Sequence, residues 1–320
     1  MKTETKISIG IIGLSALTLV VLAIYSKQTD VIQHGNDSLG NPQVLGLQTS
    51  EFRGIPLQED AQKPLEFVKR AELDTLDVSA KSFYVYDRTT GQVLIENNSQ
   101  LQTSIASLTK LLTVYLAFQY LPNNEALIVK NNDLVLATPV LRLQVGDQIF
   151  PKQLIEAVLI GSANDAAMLL GHALEEKTGK PIAQLMNETA QKLGLSNSKF
   201  NNPLGFDNVA NYSTAHDIHL LIEAVRYYHN YLDTGRLTSQ TFSSVGGLTY
   251  RVRATNKLIT KNPDIIAIKT GYTEGAQGAM ATQFKLEERD IVIIVLGSVS
   301  RENDTLILKS EVSEKFSLPQ

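Results

Sequence analysis

The spacing of apolar positions changes twice along this chain. From Ala80 onward, "KSFYVYD" and "QVLIENN" read as strands, and "RTTG" between them is a turn signal. The next stretch, "SIASLTKLLTVYLAFQYLP", switches period. Leu108, Leu111, Leu112, Tyr115 and Phe118 recur at helical spacing, and Pro122 ends the run. Residues 123–235 read as largely helical, with amphipathic patterns in "FPKQLIEAVLIG", "NDAAMLLGHALEEKTG", "IAQLMNETAQKLGL" and "TAHDIHLLIEAVRYY". Gly179 and Gly194 stand where C-terminal caps belong. After residue 240 the strand pattern returns in "GLTYRVRA", "DIIAIKTGY", "GAMATQFKL" and "DIVIIVLGS". "EERD" joins the last two, and "NDTLILKSEVSEKF" closes the chain as a helix packed on the sheet.

Strands, then helices, then strands predict an α+β domain. Its antiparallel β-sheet is made from the first and last segments, flanked by helices, with an all-helical lobe inserted at about 123–235. A site is expected where sheet and lobe meet.

The segment before this domain is of another kind. "ISIGIIGLSALTLVVLAIY", Ile7 to Tyr25, carries no charge. As a helix it would be about 28 Å long, near the roughly 30 Å hydrocarbon core of a bilayer. A cleaved secretory signal is the rival reading, but "LAIYSK" is a weak cleavage site. Lys2 and Lys6 precede the run, so the positive-inside rule exports the remainder of the chain. The expectation is one transmembrane helix within 1–26, a linker over 27–78 that reaches on the order of 40 Å as a coil, and a folded domain over 79–320. The localisation expected is the cell membrane, single-pass, with that domain outside the cytoplasm.

Composition narrows the chemistry. The 320 residues carry a net charge of −4, which implies no broad basic surface for nucleic acid. No cysteine is present, so disulfides, cysteine–zinc sites and a thiol nucleophile are excluded. His216 and His219 share a helix face without an HExxH pattern, and no metal or cofactor is expected. There is no GxSxG elbow and no glycine-rich phosphate loop.

Three short motifs remain. Ser107 and Lys110, in "SLTK", are three apart and share a helix face. Near a helix start the serine N–H can point at an oxyanion, and a neutral lysine can take the hydroxyl proton. Neutrality requires burial or a neighbouring cation. Lys269, at the end of the apolar strand "IAIKTGYT", is a candidate for that cation. Lys269 and Gly271 share a strand face, and a glycine there leaves room for a substrate backbone. The Tyr272 N–H is a candidate second oxyanion donor. Between them, "SAND" places Ser162 and Asn164 at a turn, where a hydroxyl and an amide can relay a proton and bind a substrate amide. Each motif alone has a plainer reading: a solvated helix face for "SLTK", an N-cap for "SAN", a turn for "KTG".

Together and in this order, the motifs resemble those of the low-molecular-mass penicillin-binding proteins, the serine D-alanyl-D-alanine carboxypeptidases. "YDRTTGQVLIENN", "ASLTKLLT", "LQVGDQIFPKQLIEAVLIGSANDAAMLL", "MNETAQKLGLSNSKFNNPLGFD", "YSTAHDIHLL", "ATNKLI" and "IKTGYT" carry the likeness, over about 80–300. The resemblance implies a β-lactamase/transpeptidase-like fold. It implies Ser107 as the acylated nucleophile, Lys110 as its base, Ser162 in proton relay and Asn164 on the substrate amide. Lys269 and Thr270 would hold the terminal carboxylate, with Arg301 beside it, and Lys269 would help keep Lys110 neutral. Gly271 and Tyr272 would complete the substrate edge. The partners implied are peptidoglycan stem peptides and, as covalent inhibitors, β-lactams. The family usually continues with Ala-Gly where this chain has Ala276-Gln277-Gly278. A D,D-endopeptidase, a β-lactamase of the same fold and a catalytically idle wall-binding protein are the alternatives.

Overall fold

Alternation in "SFYVYD" sends Phe83 and Val85 to one side of a sheet and Tyr84 and Tyr86 to the other. Both sides are buried, because the computed structural model, which describes residues 76–228 and 231–316, covers the sheet on each face. Strands β1 (Ser82–Asp87) and β2 (Gln92–Asn97) form the expected hairpin. Helix α1 (Lys110–Tyr120) comes next, entered through a 3₁₀ turn at Ala106–Thr109. Two short strands, β3 (Leu127–Ile128) and β4 (Gln148–Ile149), pair with each other. Then come α2 (Pro151–Gly161), α3 (Asn164–Thr178), α4 (Ile182–Lys192), α5 (Ala215–Tyr228) and α6 (Tyr231–Thr234). Strands β5 (Ser239–Ser243) and β6 (Thr249–Arg253) make a second small sheet. The chain closes with β7 (Ile265–Thr273), β8 (Gln277–Leu286), β9 (Arg289–Ser298) and α7 (Arg301–Phe316).

The main sheet has five strands in the order β2-β1-β9-β8-β7, antiparallel throughout. The first hairpin therefore pairs with the last strand, and the segments between form an insertion, as the pattern predicts. One face, with Tyr84, Tyr86, Val292, Ile294 and Ile268, packs on α1 and the other inserted helices. The other face, with Phe83, Val85, Ile293, Val295 and Met280, packs on Leu308, Val312 and Phe316 of α7. Burial on both sides explains why "DIVIIVLGS" is apolar at successive positions. Helix α1 is buried from Lys110 to Ala117, which makes it the central helix of the domain.

Gly179 ends α3 in the left-handed region at φ 67°, and Gly194 lies just past α4 at φ 75°, both at the cap positions that the sequence predicts. Two features differ from the sequence reading. Residues 123–150 hold the two short strands and a 3₁₀ turn, and helix begins only at Pro151. The β5 strand "SQTFS" has no apolar alternation, so the sequence pattern does not predict it. The expected transmembrane helix at Ile7–Tyr25 and the linker lie outside the described residues. Among those described, no helix is long and apolar enough to cross a membrane.

Candidate active site

Ser107 sits in the 3₁₀ turn rather than in the α-helix, and this brings it onto Lys110. In a 3₁₀ helix, side chains at i and i+3 eclipse. Lys110 Nζ donates to Ser107 Oγ at 2.8 Å and to the Leu204 carbonyl at 2.6 Å. Ser107 is partly exposed, while Lys110 is 0% exposed. Burial pulls the Lys110 pKa from its ordinary 10.5 down to about 7, so the amine is half neutral near physiological pH.

The second lysine owes its aim to an irregularity in β7. Register with β8 shifts between Ala267 and Lys269. Before the shift, Ile266 and Ile268 face the helices; after it, Lys269 and Gly271 do. A β-bulge of this kind re-aims side chains without breaking the sheet. Lys269 Nζ donates to Ser162 Oγ at 2.8 Å and to the Thr270 carbonyl at 2.7 Å. Lys269 is fully buried, and burial, then Lys110, then Arg301, hold its pKa well below the usual lysine value. Lys110 itself is shifted by burial. Burial is the leading cause for each lysine, and the charge coupling between the two acts in the direction that the sequence reading expects.

Ser162 ends α2 in the left-handed conformation, φ 59°, and Asn164 opens α3. Neither side chain caps α3, whose N-cap is Ala163. Asn164 Nδ2 donates to the Ala137 carbonyl at 2.7 Å. Its Oδ1 is buried with no protein partner among the described residues, an acceptor available to an incoming N–H. Ala106, just before Ser107, also has positive φ, 46°. Two non-glycine residues in this region at one site mark stored strain.

Gly271 has a different neighbour from the one expected. A Cβ there would come 2.8 Å from the Ser107 nitrogen and 2.9 Å from the Ala106 Cβ. The space that glycine leaves is occupied by the 3₁₀ turn that carries Ser107. Tyr272, next along this edge strand, is 64% exposed. Thr270 Oγ1 lies 2.5 Å from Thr255 Oγ1. Arg301, the first residue of α7, donates from Nη1 to the Gly271 carbonyl and from Nε to Glu302 at 3.2 Å. All nine candidate residues therefore lie along one path through the 3₁₀ turn, the α2–α3 junction, the end of β7 and the start of α7. His216 and His219 lie elsewhere, against Tyr84.

Sequence reasoning gives no role to "NNPLGFD". Leu204 supplies the carbonyl under Lys110, and Thr113 donates to the Pro203 carbonyl at 2.8 Å. Gly205, φ 86°, packs so tightly on Ala106 that a Cβ would lie 1.9 Å from its carbonyl oxygen. Asp207 accepts from Thr273 Oγ1 at 2.7 Å and the Gly275 N–H at 3.1 Å, tying this loop to the β7–β8 turn. The Asn-Pro-x-Gly turn signal is the available clue. Thr255 leaves no local signal.

Residues 68–300 match the family model described as D-alanyl-D-alanine carboxypeptidase. The chain is 27% identical over 258 residues to the D-alanyl-D-alanine carboxypeptidase DacF of Bacillus subtilis, covering 77% of this chain and 65% of that one. It thus spans less than two thirds of that relative's length. It is 30% identical over 247 residues to a D-alanyl-D-alanine endopeptidase of Haemophilus influenzae, covering 74% of this chain and 82% of the relative. The crystal structure of the Streptomyces K15 DD-transpeptidase superposes with a TM-score of 0.67 at 23% identity, over 73% of this chain and 96% of that one, a likeness of fold.

Proposed function

The chain belongs to the D-alanyl-D-alanine carboxypeptidase family, and from that premise we propose that it is a serine D,D-peptidase that removes the terminal D-alanine from peptidoglycan stem peptides. The observation that carries this reading is the pair of buried lysines, each hydrogen-bonded to its own serine at 2.8 Å. A wall-binding protein has no use for two desolvated amines.

Ser107 Oγ attacks the carbonyl carbon of the penultimate D-alanine, and its proton passes to Lys110 Nζ. The backbone N–H groups of Ser107 and Tyr272 stabilise the oxyanion. Asn164 holds the substrate amide. The C–N bond breaks, the leaving amine takes the proton that Lys110 had accepted, with Ser162 as the relay, and D-alanine departs. Water then attacks the acyl ester and frees Ser107. Lys269, Thr270 and Arg301 hold the leaving carboxylate. A β-lactam would acylate Ser107 by the same steps.

Cleavage of cross-linked peptides is the second reading, supported by the likeness to the Haemophilus endopeptidase. The uncharged run Ile7–Tyr25 supports a single membrane anchor with the catalytic domain outside the cytoplasm.

The test is D-alanine release from a D-Ala–D-Ala peptide, with mass spectrometry after exposure to a labelled penicillin. Wild type is expected to release D-alanine and carry an adduct on Ser107; Ser107→Ala is expected to do neither. Release that persists in Ser107→Ala refutes the mechanism.

A further inference from the structure

Glu302 stands at the leaving-group end of this site with no part in the mechanism above. Its carboxylate accepts from Arg301 Nε at 3.2 Å, and the side chains of both residues are partly buried. The other contact of that guanidinium is the Gly271 carbonyl, on the strand carrying Lys269 and Thr270. Gly278 packs beneath it, since a Cβ there would come 3.1 Å from Arg301 Cβ and 3.3 Å from Cδ. Arg301 is therefore fixed on three sides, and Glu302 is the carboxylate paired with it.

The pairing acts in two ways. A guanidinium grips a carboxylate through two parallel N–H donors, and Glu302 takes Nε out of that set. It also cancels the charge that would draw a second carboxylate in. Glu302 and Asp304 lie in the first turn of α7, where the helix N-terminus favours negative charge. Displacing Glu302 from the guanidinium thus forfeits an established pair.

We propose that Glu302 is a specificity-determining residue: by occupying Arg301 it weakens the site's dependence on a leaving-group carboxylate, so that amines without one beside the scissile amide are accepted. The inference rests on the D,D-peptidase reading and deepens it. It names the leaving-group class, amidated or side-chain amines such as occur at a cross-link, alongside free D-alanine.

The experiment uses the full chain and two peptides, an N-acylated L-Lys–D-Ala–D-Ala acid and its C-terminal carboxamide. The readout is the ratio of kcat/KM, acid over amide. Glu302→Gln is expected to raise that ratio roughly three- to tenfold, mainly through a lower KM for the acid, and added salt is expected to shrink the gain. Glu302→Ser, which keeps a short polar side chain in the first turn, has to move the ratio the same way. A ratio unmoved or lowered in both variants, with wild type cleaving both peptides, overturns the role of Glu302 alone. A wild type that cleaves neither peptide and takes no penicillin on Ser107 overturns the peptidase reading beneath it.

Discussion

Gly271 and Ser107 belong to different elements, yet a single methyl on Gly271 would reach within 2.8 Å of the Ser107 backbone nitrogen. The strand that carries Lys269 is thus the floor on which the nucleophile turn rests. Its glycine lets the Ser107 turn pack directly on the strand.

Gly271→Ala is expected to lift the 3₁₀ turn off β7. Displacements near 1 Å cost about 100-fold in rate at sites of this kind. The acylation rate with a labelled penicillin should fall by about that factor, with a destabilisation of roughly 1–3 kcal/mol from overpacking. Acylation at the wild-type rate in a folded Gly271→Ala protein would show that the contact is not what places Ser107.

In the proposed mechanism Lys110 acts as a base only when neutral, so its pKa of about 7 is expected to set the pH dependence. Acylation is expected to fall about tenfold per pH unit below that value and to level off above it. Stability responds to the same titration through proton counts. Unfolded lysine keeps its proton to about pH 10.4, whereas the folded residue loses it near 7. Between these limits the unfolded state binds more protons, so stability rises with pH. Below about 7 both states are protonated and this contribution is flat. Lys110→Met should abolish acylation and remove its share of the rise, read by chemical denaturation from about pH 6 to about pH 10.

The fold is largely legible in the sequence because its signals are local. Short apolar runs rich in β-branched and aromatic residues mark β1, β7 and β9; helical spacing marks α1 to α5; glycines mark the caps. Residues 123–150 mislead because long-range bonds shape them. Buried Asp165, in α3, accepts the N–H groups of Leu141 and Leu143 at 2.9 and 3.1 Å, fixing a loop whose apolar residues suggest a helix. At the site, both lysines and both serines are readable because charge on an apolar strand or core helix is conspicuous. The supports are not. Thr255 reaches Thr270 from a separate segment, and Leu204 contributes only a carbonyl, which any residue has. The bulge that turns Lys269 toward the helices leaves no trace in "IAIKTG".

Gln277 occupies the position where the family usually has glycine, and its φ is 57°. A left-handed non-glycine residue costs about 1–2 kcal/mol, partly offset by the lower chain entropy of a side-chain-bearing residue when unfolded. Gln277→Gly is expected to stabilise the protein by about 0.5–1 kcal/mol and to leave acylation intact, even though it loses the Gln277 Nε2 bond to the Glu274 carbonyl at 2.8 Å. A lower melting temperature would mean that this bond outweighs the backbone term. Gly278→Ala should do the reverse, because its Cβ would meet the Ser298 carbonyl oxygen at 2.8 Å and press on Arg301.

Among the described residues, the hydrogen bonds of the Asn202 side chain go to neither the site's serines nor its lysines, yet they hold the turn whose carbonyl Lys110 meets. Its Oδ1 accepts three successive N–H groups, from Leu204 at 3.1 Å, Gly205 at 2.8 Å and Phe206 at 3.1 Å. That turn presents the Leu204 oxygen to Lys110 Nζ at 2.6 Å and seats Gly205 on Ala106. Asn202→Ala removes one acceptor and leaves three donors to find others, at a cost of about 1–3 kcal/mol. With the loop loosened, Lys110 loses one of its two partners and its direction toward Ser107. Acylation should slow by about 10- to 100-fold, more than the loss of stability alone accounts for at temperatures where the variant is folded. Asn202→Asp keeps an oxygen in the same place and should restore most of the rate. If the aspartate variant is as slow as the alanine one, the acceptor at this turn does not position Lys110, and the slowing has to come from the charge or packing of the side chain instead.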